Sequence, residues 1–321
     1  MLITQVQPED FPAQDNLFQT SFWGKFKSAE GSPALFFLCS SDNGEPFTAA
    51  RTPHTGTFPQ SSFPLLVLLR RSVSGDIYAF APKAPSIFIP EDERGLFLED
   101  LSENLKPFLP KETVCIRYDT FWPSSFEDAD NMPRKELLEM RFNFGTKKHL
   151  LRKSTSDHFC PNTVLIDLSA SPEQMLTRMR QTTRNSIRKS YREGVTFSEK
   201  DLSFLPVWHN LYKKTGLRKK FYTEEKDYFE MLLGGARRFG RLFFKPVASP
   251  HEDCGKGPPE KQVSSAISKI LSSNPSEMPC TAPVPEPTFH ILAAEKDGGL
   301  LASIILCFCG KTAYYMYSGS D

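Results

Sequence analysis

Short apolar runs, each bounded by glycine, proline or serine, recur through the first half of the chain and predict β-strands. The runs cover residues 34–39, 64–71, 76–82 and 113–119. Five apolar side chains between residues 90 and 109 recur at the spacing of one helical face: Leu96, Leu98, Leu101, Leu105 and Phe108. The pattern predicts a mixed α/β first half that ends between residues 145 and 161.

The second half is predicted to open with a strand at residues 163–169 and to continue at once into a helix. Ser171 can cap this helix, Pro172 suits its first turn, and Gln174 completes the spacing of a capping box. The helix is expected to run on through a basic stretch and to end near Gly194, since glycine accepts the left-handed conformation.

The rest of the chain shows two helical patterns, at residues 205–214 and 224–234, followed by strands. Four strands are predicted: residues 241–247, 289–296, 300–309 and 312–318. Asp297, Gly298 and Gly299 suit a hairpin turn between the second and the third of them.

A stretch rich in proline, serine and glutamate separates the first of those strands from the second. It covers residues 248–287, and a loop of that length and composition predicts a disordered insertion. An element that binds a partner is the alternative interpretation.

The charge balance restricts where the chain could bind anions. Among its 321 residues, 39 basic side chains nearly balance 38 acidic ones, for a net charge of +1. This argues against a surface built as a whole for nucleic acid, so any anion site must be local. The length favours two domains, which we place at residues 1–155 and 156–321.

Cysteine usage and the N-terminus indicate the compartment. The seven cysteines include no CxxC pair, which argues against zinc-knuckle and redox motifs and predicts reduced thiols. The N-terminal residues lack the basic and apolar regions of a secretory signal. The most apolar run, residues 63–69, is too short to cross a bilayer and predicts a buried strand. We therefore expect a cytoplasmic protein.

The stretch RMRQTTRNSIRKSYREGV, residues 178–195, concentrates positive charge in a predicted helix. Arg184, Arg188 and Arg192 recur every four residues and form one ridge. The apolar side chains form another face, which would pack against a sheet: Met175, Met179, Ile187 and Tyr191. The ridge suits contacts with phosphate, in a nucleotide diphosphate or a tRNA backbone. A solvated basic face is the alternative, and no DNA-binding signature accompanies the charge.

Several catalytic and cofactor motifs are absent from the sequence. It contains no P-loop, no dinucleotide-binding GxGxxG after a strand, no HExxH and no GxSxG. The six histidines are dispersed. The pyrophosphate-binding turn of coenzyme A acetyltransferases is also missing. We therefore expect neither a metal nor a cofactor.

Six segments occur in one order along the chain: FQTSFWGKFK (18–27), DIYAFAPKAP (76–85), IRYD (116–119), TVLIDLSASPEQMLTRMRQTTRNSIRKSYREGV (163–195), LYKKTGLRKKF (211–221) and LLASIILCFCGKTAYYMYSGSD (300–321). Together they resemble the FemABX family of non-ribosomal peptidyltransferases, which build side branches on peptidoglycan precursors. The resemblance covers most of the chain except residues 248–287. It implies two tandem acetyltransferase-like domains with mixed sheets and an acceptor site between them.

The resemblance also implies an activity and its partners. Members of the family move an amino acid such as glycine, serine or alanine from aminoacyl-tRNA to a stem-peptide amine. The acceptor is UDP-MurNAc-pentapeptide or lipid II, and lipid II would bring the protein to the inner face of the cytoplasmic membrane. The reaction needs no metal, so the protein mainly positions its partners and stabilises oxyanion charge.

Five residues are expected at the site on the same resemblance. Lys27 matches the lysine that contacts the precursor phosphates, and Asp119 matches an acidic position of the acceptor pocket, although Thr120 replaces a frequent proline. Arg218 lies where a phosphate-binding arginine is expected, and Tyr222 would follow it one helical turn later. Tyr315 belongs to a strand like the family's YxYGAS, with Ser318 and Gly319 in place of glycine and alanine.

The sequence departs from the family pattern at its end. Family members continue past this last strand into a segment with a lysine thought to stabilise the oxyanion, whereas this sequence ends at Asp321. A second domain without its last part is therefore expected. Three alternatives stay open: an acyltransferase with another donor, a non-catalytic RNA- or phosphate-binding protein, and an inactive remnant.

Overall fold

A computed structural model of the chain describes residues 1–42, 44, 47, 61–122, 134–160, 162–239 and 286–321, except for the side chains of residues 235–239. The chain divides into two units, Met1–Thr163 and Val164–Asp321. The sequence pattern placed this boundary after residue 155, whereas the two units divide after Thr163.

The apolar runs of the first unit form one five-stranded sheet with strands adjacent in chain order. The strands are β1 (Leu2–Val6), β2 (Ala34–Ser40), β3 (Ser62–Arg71), β4 (Ile77–Ala81) and β5 (Thr113–Tyr118). The first three pairings are antiparallel, and β5 runs parallel to β4. All four predicted strands are confirmed, and β3 is the predicted buried one. The sequence pattern did not reveal β1.

Helices cover both faces of this sheet. The unit contains α1 (Ser21–Ala29), α2 (Arg94–Leu105) and α3 (Lys135–Asn143). The helix predicted within residues 90–109 is confirmed as α2, and its Leu101 and Leu105 are fully buried in the core. Parallel strands need a crossover, and α2 supplies it between β4 and β5.

Helix α1 approaches the opposite face of the sheet unusually closely. Thr20 caps the helix by accepting from the backbone N–H of Trp23 at 3.1 Å. A Cβ atom at Gly24 would lie 2.4 Å from the ring of Phe36 and 3.0 Å from Leu66. Only glycine allows this contact without displacing a core side chain.

The second unit pairs a four-stranded antiparallel sheet with helices. Its elements are α4 (Pro172–Arg178), α5 (Gln181–Arg192), β6 (Thr196–Lys200), α6 (Leu205–Lys219), α7 (Lys226–Phe239), β7 (Thr288–Lys296), β8 (Gly299–Cys309) and β9 (Thr312–Ser320). The sheet order follows the chain from β6 to β9. The predicted helices α6 and α7 and strands β7 to β9 are confirmed.

The core of the second unit is aromatic. Trp208 of α6 and Phe229 of α7 are fully buried, with ring centroids 4.7 Å apart. Strand β9 passes so close to α6 that a Cβ at Gly319 would lie 2.9 Å from the backbone nitrogen of Tyr212. The predicted hairpin turn is confirmed: Asp297 and Gly298 have φ values of 52° and 78°.

The strand predicted at residues 163–169 is wrong. Residues 163–167 are irregular, and Val164, Leu165 and Ile166 are 84%, 84% and 64% exposed. A strand needs a neighbour to satisfy its backbone groups, and no described strand pairs with this segment. These residues therefore do not form a strand, although their side chains favour one.

The single helix predicted through the basic stretch is also wrong. Met179 and Arg180 have extended backbone conformations, with ψ of 154° and 147°, and they separate α4 from α5. The capping box of Ser171 and Gln174 is confirmed at the start of α4. The end of α5 before Gly194 is confirmed as well, since this glycine has a φ of 79°.

Two predicted features lie outside the described residues. These are the strand at residues 241–247 and residues 248–285 of the predicted insertion. Within the described part of the chain, no helix combines the length and the apolar character needed to cross a bilayer.

Candidate functional site

Lys27 lies in the last turn of α1, against two aromatic rings. Its ammonium is 5.0 Å from the ring centre of Trp23 and 4.9 Å from that of Phe26. It also forms a 2.5 Å ion pair with Glu30. Trp23 and Glu30 lie four residues before and three residues after Lys27, on the same side of the helix, and Phe26 is its neighbour in the chain, so the position of the charge is well defined.

Asp119 lies directly after β5 and is fixed by its backbone. Its N–H donates to the carbonyl of Ala81, and its own carbonyl accepts from the N–H of Ala84. The ammonium of Lys83 lies 3.3 Å from the carboxylate, and both side chains are 20% exposed. The ion pair therefore leaves part of the carboxylate accessible to a ligand.

Residues 156–159 connect the surroundings of Lys27 and Asp119. The ring of Phe159 lies 4.6 Å from that of Phe18, which itself contacts Trp23 at 5.0 Å. On its other side, Phe159 lies 5.1 Å from the ammonium of Lys83. The structure thus brings the two predicted site residues of the first unit to one aromatic surface.

His158 lies in the same segment, among cations. Its ring packs 4.5 Å from Phe80, and its Nε2 is 2.7 Å from Nη1 of Arg70. The pKa of His158 falls to about 4, first because the ring is partly buried and then because cations such as Arg70 and Arg117 surround it. The imidazole is neutral at pH 7.

Arg218 of the second unit contacts the end of β9. Its Nη2 donates to the carbonyl and the hydroxyl of Ser320 at 2.8 and 2.9 Å. Thr215, one helical turn earlier, exchanges hydrogen bonds of 2.9 Å with the backbone of Ser320. The guanidinium is therefore held at the junction of α6 and β9 while it remains exposed.

The two tyrosines predicted for the site are exposed: Tyr222 by 80% and Tyr315 by 65%. The expectation that Tyr222 continues the helix of Arg218 is wrong. Helix α6 ends at Lys219, and Lys220 turns the chain with a φ of 59°. No described contact joins either tyrosine to Arg218.

The three arginines of the basic ridge differ in their surroundings. The guanidinium of Arg184 donates to the carbonyls of Thr177 and Met179 at 3.0 and 2.6 Å, and so closes the end of α4. Arg188 and Arg192 lie on the exposed surface of α5, a helix that buries none of its residues. Among the three, Arg184 alone has a described hydrogen bond to nearby backbone.

Residue-level inspection of the sequence missed Lys83, His158, Arg70 and Arg117. Lys83 stands in the segment DIYAFAPKAP, which carried part of the resemblance, but its pairing with Asp119 gave no sequence signal. No group of three or more possible metal ligands is found among the described residues.

The geometry of the first unit suits recognition of a charged amine or phosphate. Asp119 offers an accessible carboxylate, and Lys27 offers an ammonium on a fixed turn of helix. A family model described as the FemAB family matches residues 9–235. The chain belongs to the FemAB family. The matched range contains every predicted site residue except Tyr315.

Curated relatives of this FemAB chain include lipid II:glycine glycyltransferases. The protein of that name from Staphylococcus epidermidis is 24% identical over 203 residues, which are 58% of this chain and 48% of the relative. The one from Staphylococcus saprophyticus is 23% identical over 183 residues, or 52% of this chain and 44% of the relative. The matched part thus spans about half the length of these relatives.

A solved structure shares the fold. The crystal structure of FemX resembles this FemAB chain with a TM-score of 0.55 at 14% identity, covering all of this chain and 81% of FemX. The predicted mixed α/β fold with acetyltransferase-like domains is confirmed by this likeness.

Proposed function

We propose that the protein is an aminoacyltransferase of peptidoglycan synthesis. It takes glycine, serine or alanine from aminoacyl-tRNA and joins it to a stem-peptide amine of lipid II or UDP-MurNAc-pentapeptide. Membership of the FemAB family and relatives named lipid II:glycine glycyltransferase support this proposal.

The observation that carries the proposal is the environment of Asp119. Its carboxylate is partly accessible, held by Lys83 at 3.3 Å, and adjacent to the aromatic surface that also borders Lys27. An anion fixed in this way can accept a hydrogen bond from an incoming ammonium and orient it. The ammonium of Lys27 pairs with Glu30 but has three N–H donors, and a remaining one would contact a phosphate at the other end of the acceptor.

The reaction balances without a cofactor. The acceptor ammonium releases one proton to water, and its nitrogen attacks the carbonyl carbon of the aminoacyl ester. The new C–N amide bond forms as the ester C–O bond breaks, and the ribose oxygen leaves with a proton. Asp119 orients the amine, and positioning of this kind can lower the barrier substantially.

Helix α5 offers an exposed basic surface to which the donor tRNA could bind. Arg188 and Arg192 are exposed and lie one helical turn apart on the same ridge. Guanidinium groups on such a ridge can contact successive phosphates. Binding of tRNA through them should weaken with salt. We place the enzyme in the cytoplasm, with contact to the inner membrane face when lipid II is the acceptor.

Transfer of radiolabelled amino acid tests the proposal. Purified protein is mixed with tRNA charged with glycine, serine or alanine and with either acceptor, and the labelled product is separated. We expect transfer with at least one pair, and we expect Asp119→Asn to lower kcat/KM about 100-fold, the usual cost of misplacing a reacting group by about 1 Å.

Asp10→Asn is the matched control. Asp10 belongs to the same unit, is exposed and makes no described side-chain contact, so this variant should transfer at the wild-type rate. Failure of every donor and acceptor pair would exclude the aminoacyltransferase. Salt-sensitive RNA binding without transfer would instead favour a non-catalytic RNA-binding protein, and competition by coenzyme A esters would favour another acyl donor.

A further inference from the structure

Two arginines reach one short segment from different strands of the first sheet. Phe80 on β4 pairs with Arg117 on β5 and, on its other side, with Leu68 on β3. Arg70 lies two residues after Leu68 on the same strand. Side chains alternate along strands, so Arg70, Phe80 and Arg117 share the face that carries α1. Arg70 contacts the ring of His158, and Arg117 donates to the carbonyl of Ser156. The two guanidinium groups therefore converge.

The convergence brings together two guanidinium groups that lack a carboxylate partner among the described residues. Neither guanidinium forms an ion pair with any carboxylate of the described residues; their partners are an imidazole, an aromatic ring and a carbonyl. Lys27 and Lys83 also act on His158, from α1 and from the loop after β4, although each of them has its own carboxylate partner, Glu30 and Asp119. Such an arrangement costs free energy through repulsion unless an anion binds to it.

The neutral state of His158 fits the same interpretation. A neutral imidazole accepts a hydrogen bond from Arg70 and adds no further positive charge to the cluster. An anion bound between the arginines would offset the surrounding cations, and it would therefore favour protonation of the ring. Binding of such an anion would therefore be linked to uptake of a proton by His158.

We propose that Arg70 and Arg117, with His158 between them, form an anion-binding site for a phosphate-bearing ligand. Two guanidinium groups without carboxylate partners match two negative charges. A diphosphate or two successive phosphodiesters supply both charges, whereas a single carboxylate supplies one. Planar guanidinium groups also present paired donors that fit phosphate oxygens. The site adjoins the surface that connects Lys27 and Asp119, so its use by a substrate rests on the proposed function, whereas its affinity for a phosphate anion can be measured without transfer.

Inorganic pyrophosphate is the first probe. The imidazole signals of His158, assigned with a His158→Gln variant, are followed by NMR as pyrophosphate is added at several pH values. We expect saturable shifts and an upward move of the His158 pKa on binding. Absence of any response of His158 to pyrophosphate would overturn the proposal.

The variant Arg70→Gln/Arg117→Gln removes both charges, and its dissociation constant for pyrophosphate should rise by about tenfold or more. Arg71→Gln is the matched control, because Arg71 is the next residue on β3, is exposed and donates only to the carbonyl of Gly75. Equal weakening by both variants would contradict the site. If the double variant unfolds, Arg117→Lys, which keeps the charge but loses the paired donors, should bind with intermediate affinity.

Two further ligands identify the source of the phosphate. UDP-N-acetylglucosamine carries a diphosphate, and a short RNA oligonucleotide carries successive phosphodiesters. Weaker binding of the nucleotide sugar alone in the double variant assigns the site to a diphosphate precursor. Weaker binding of the RNA alone assigns it to a nucleic acid backbone. Unchanged binding of both would overturn the proposal.

Discussion

His158 illustrates how one side chain can report on a cluster of charges. Partial burial against Phe80 and the nearby arginines lower its pKa from 6.5 to about 4. Between these two values, the unfolded chain binds a proton that the folded chain does not. The free energy of unfolding must therefore fall as the pH drops through this window.

We expect His158→Gln to remove this contribution. The variant should lose less stability than the wild type between pH 6.5 and pH 4, because its folded state no longer excludes a proton. Urea unfolding at several pH values measures the difference. Above pH 6.5 the two proteins should show the same dependence on pH, and identical slopes below pH 6.5 would contradict the low pKa.

Contacts between residues far apart in the chain could not be predicted from the sequence. Lys27 and Asp119 were identified because each stands in a short segment that resembles a known family. Arg70 and His158 lie 88 residues apart, and their contact depends on how the chain folds back over the sheet. No local pattern encodes such a contact, so this part of the site required the structure.

At the scale of elements, two helical glycines have opposite environments. A Cβ at Gly24 in α1 would lie 2.4 Å from the buried ring of Phe36, whereas a Cβ at Gly234 in α7 would meet no atom of the described residues within 4 Å. The close approach of α1 to the sheet therefore depends on glycine. The packing of α7 does not require glycine at position 234.

Alanine at these positions should change stability in opposite directions. We expect Gly24→Ala to destabilise the first unit by roughly 1–3 kcal/mol, because Phe36 must move within a packed core. Gly234→Ala should stabilise the second unit by roughly 0.5–1 kcal/mol, because alanine restricts the unfolded chain and favours helix. Native-state hydrogen exchange at amides of α1 and α7 measures both. A stabilising Gly24→Ala would contradict the close contact.

The elements that could be predicted are those with strong local signals. Alternating or continuous apolar runs identified β2 to β5 and β7 to β9, and capping residues located the start of α4. The segment 163–169 has equally strong strand propensity, but a strand also needs a pairing partner. The break between α4 and α5 lies at Met179 and Arg180, whose backbone is extended, and Arg184 donates to the carbonyl of Met179 there. Residue spacing in the sequence specifies neither feature.

At the scale of the whole molecule, the first residues of the second unit expose apolar side chains. Val164, Leu165 and Ile166 lie just beyond the boundary after Thr163, in irregular backbone without a pairing strand. Such a segment fits the active site of a protease without local unfolding. Val73 is even more exposed, yet it lies in a tight turn closed by a 2.8 Å backbone hydrogen bond from Ser72 to Asp76.

Limited digestion with thermolysin, which cleaves before large apolar residues, distinguishes these two exposed sites. We expect cleavage at residues 164–166 to precede cleavage before Val73, because a bound protease needs extended backbone and the turn must open first. Mass spectrometry of early time points identifies the cuts. Gly75→Ala loosens the turn, since Gly75 has a φ of 92° that alanine disfavours, and it should accelerate cleavage at Val73 alone. Earlier cleavage at Val73 in the wild type would show that exposure, rather than backbone freedom, determines where this chain is cut.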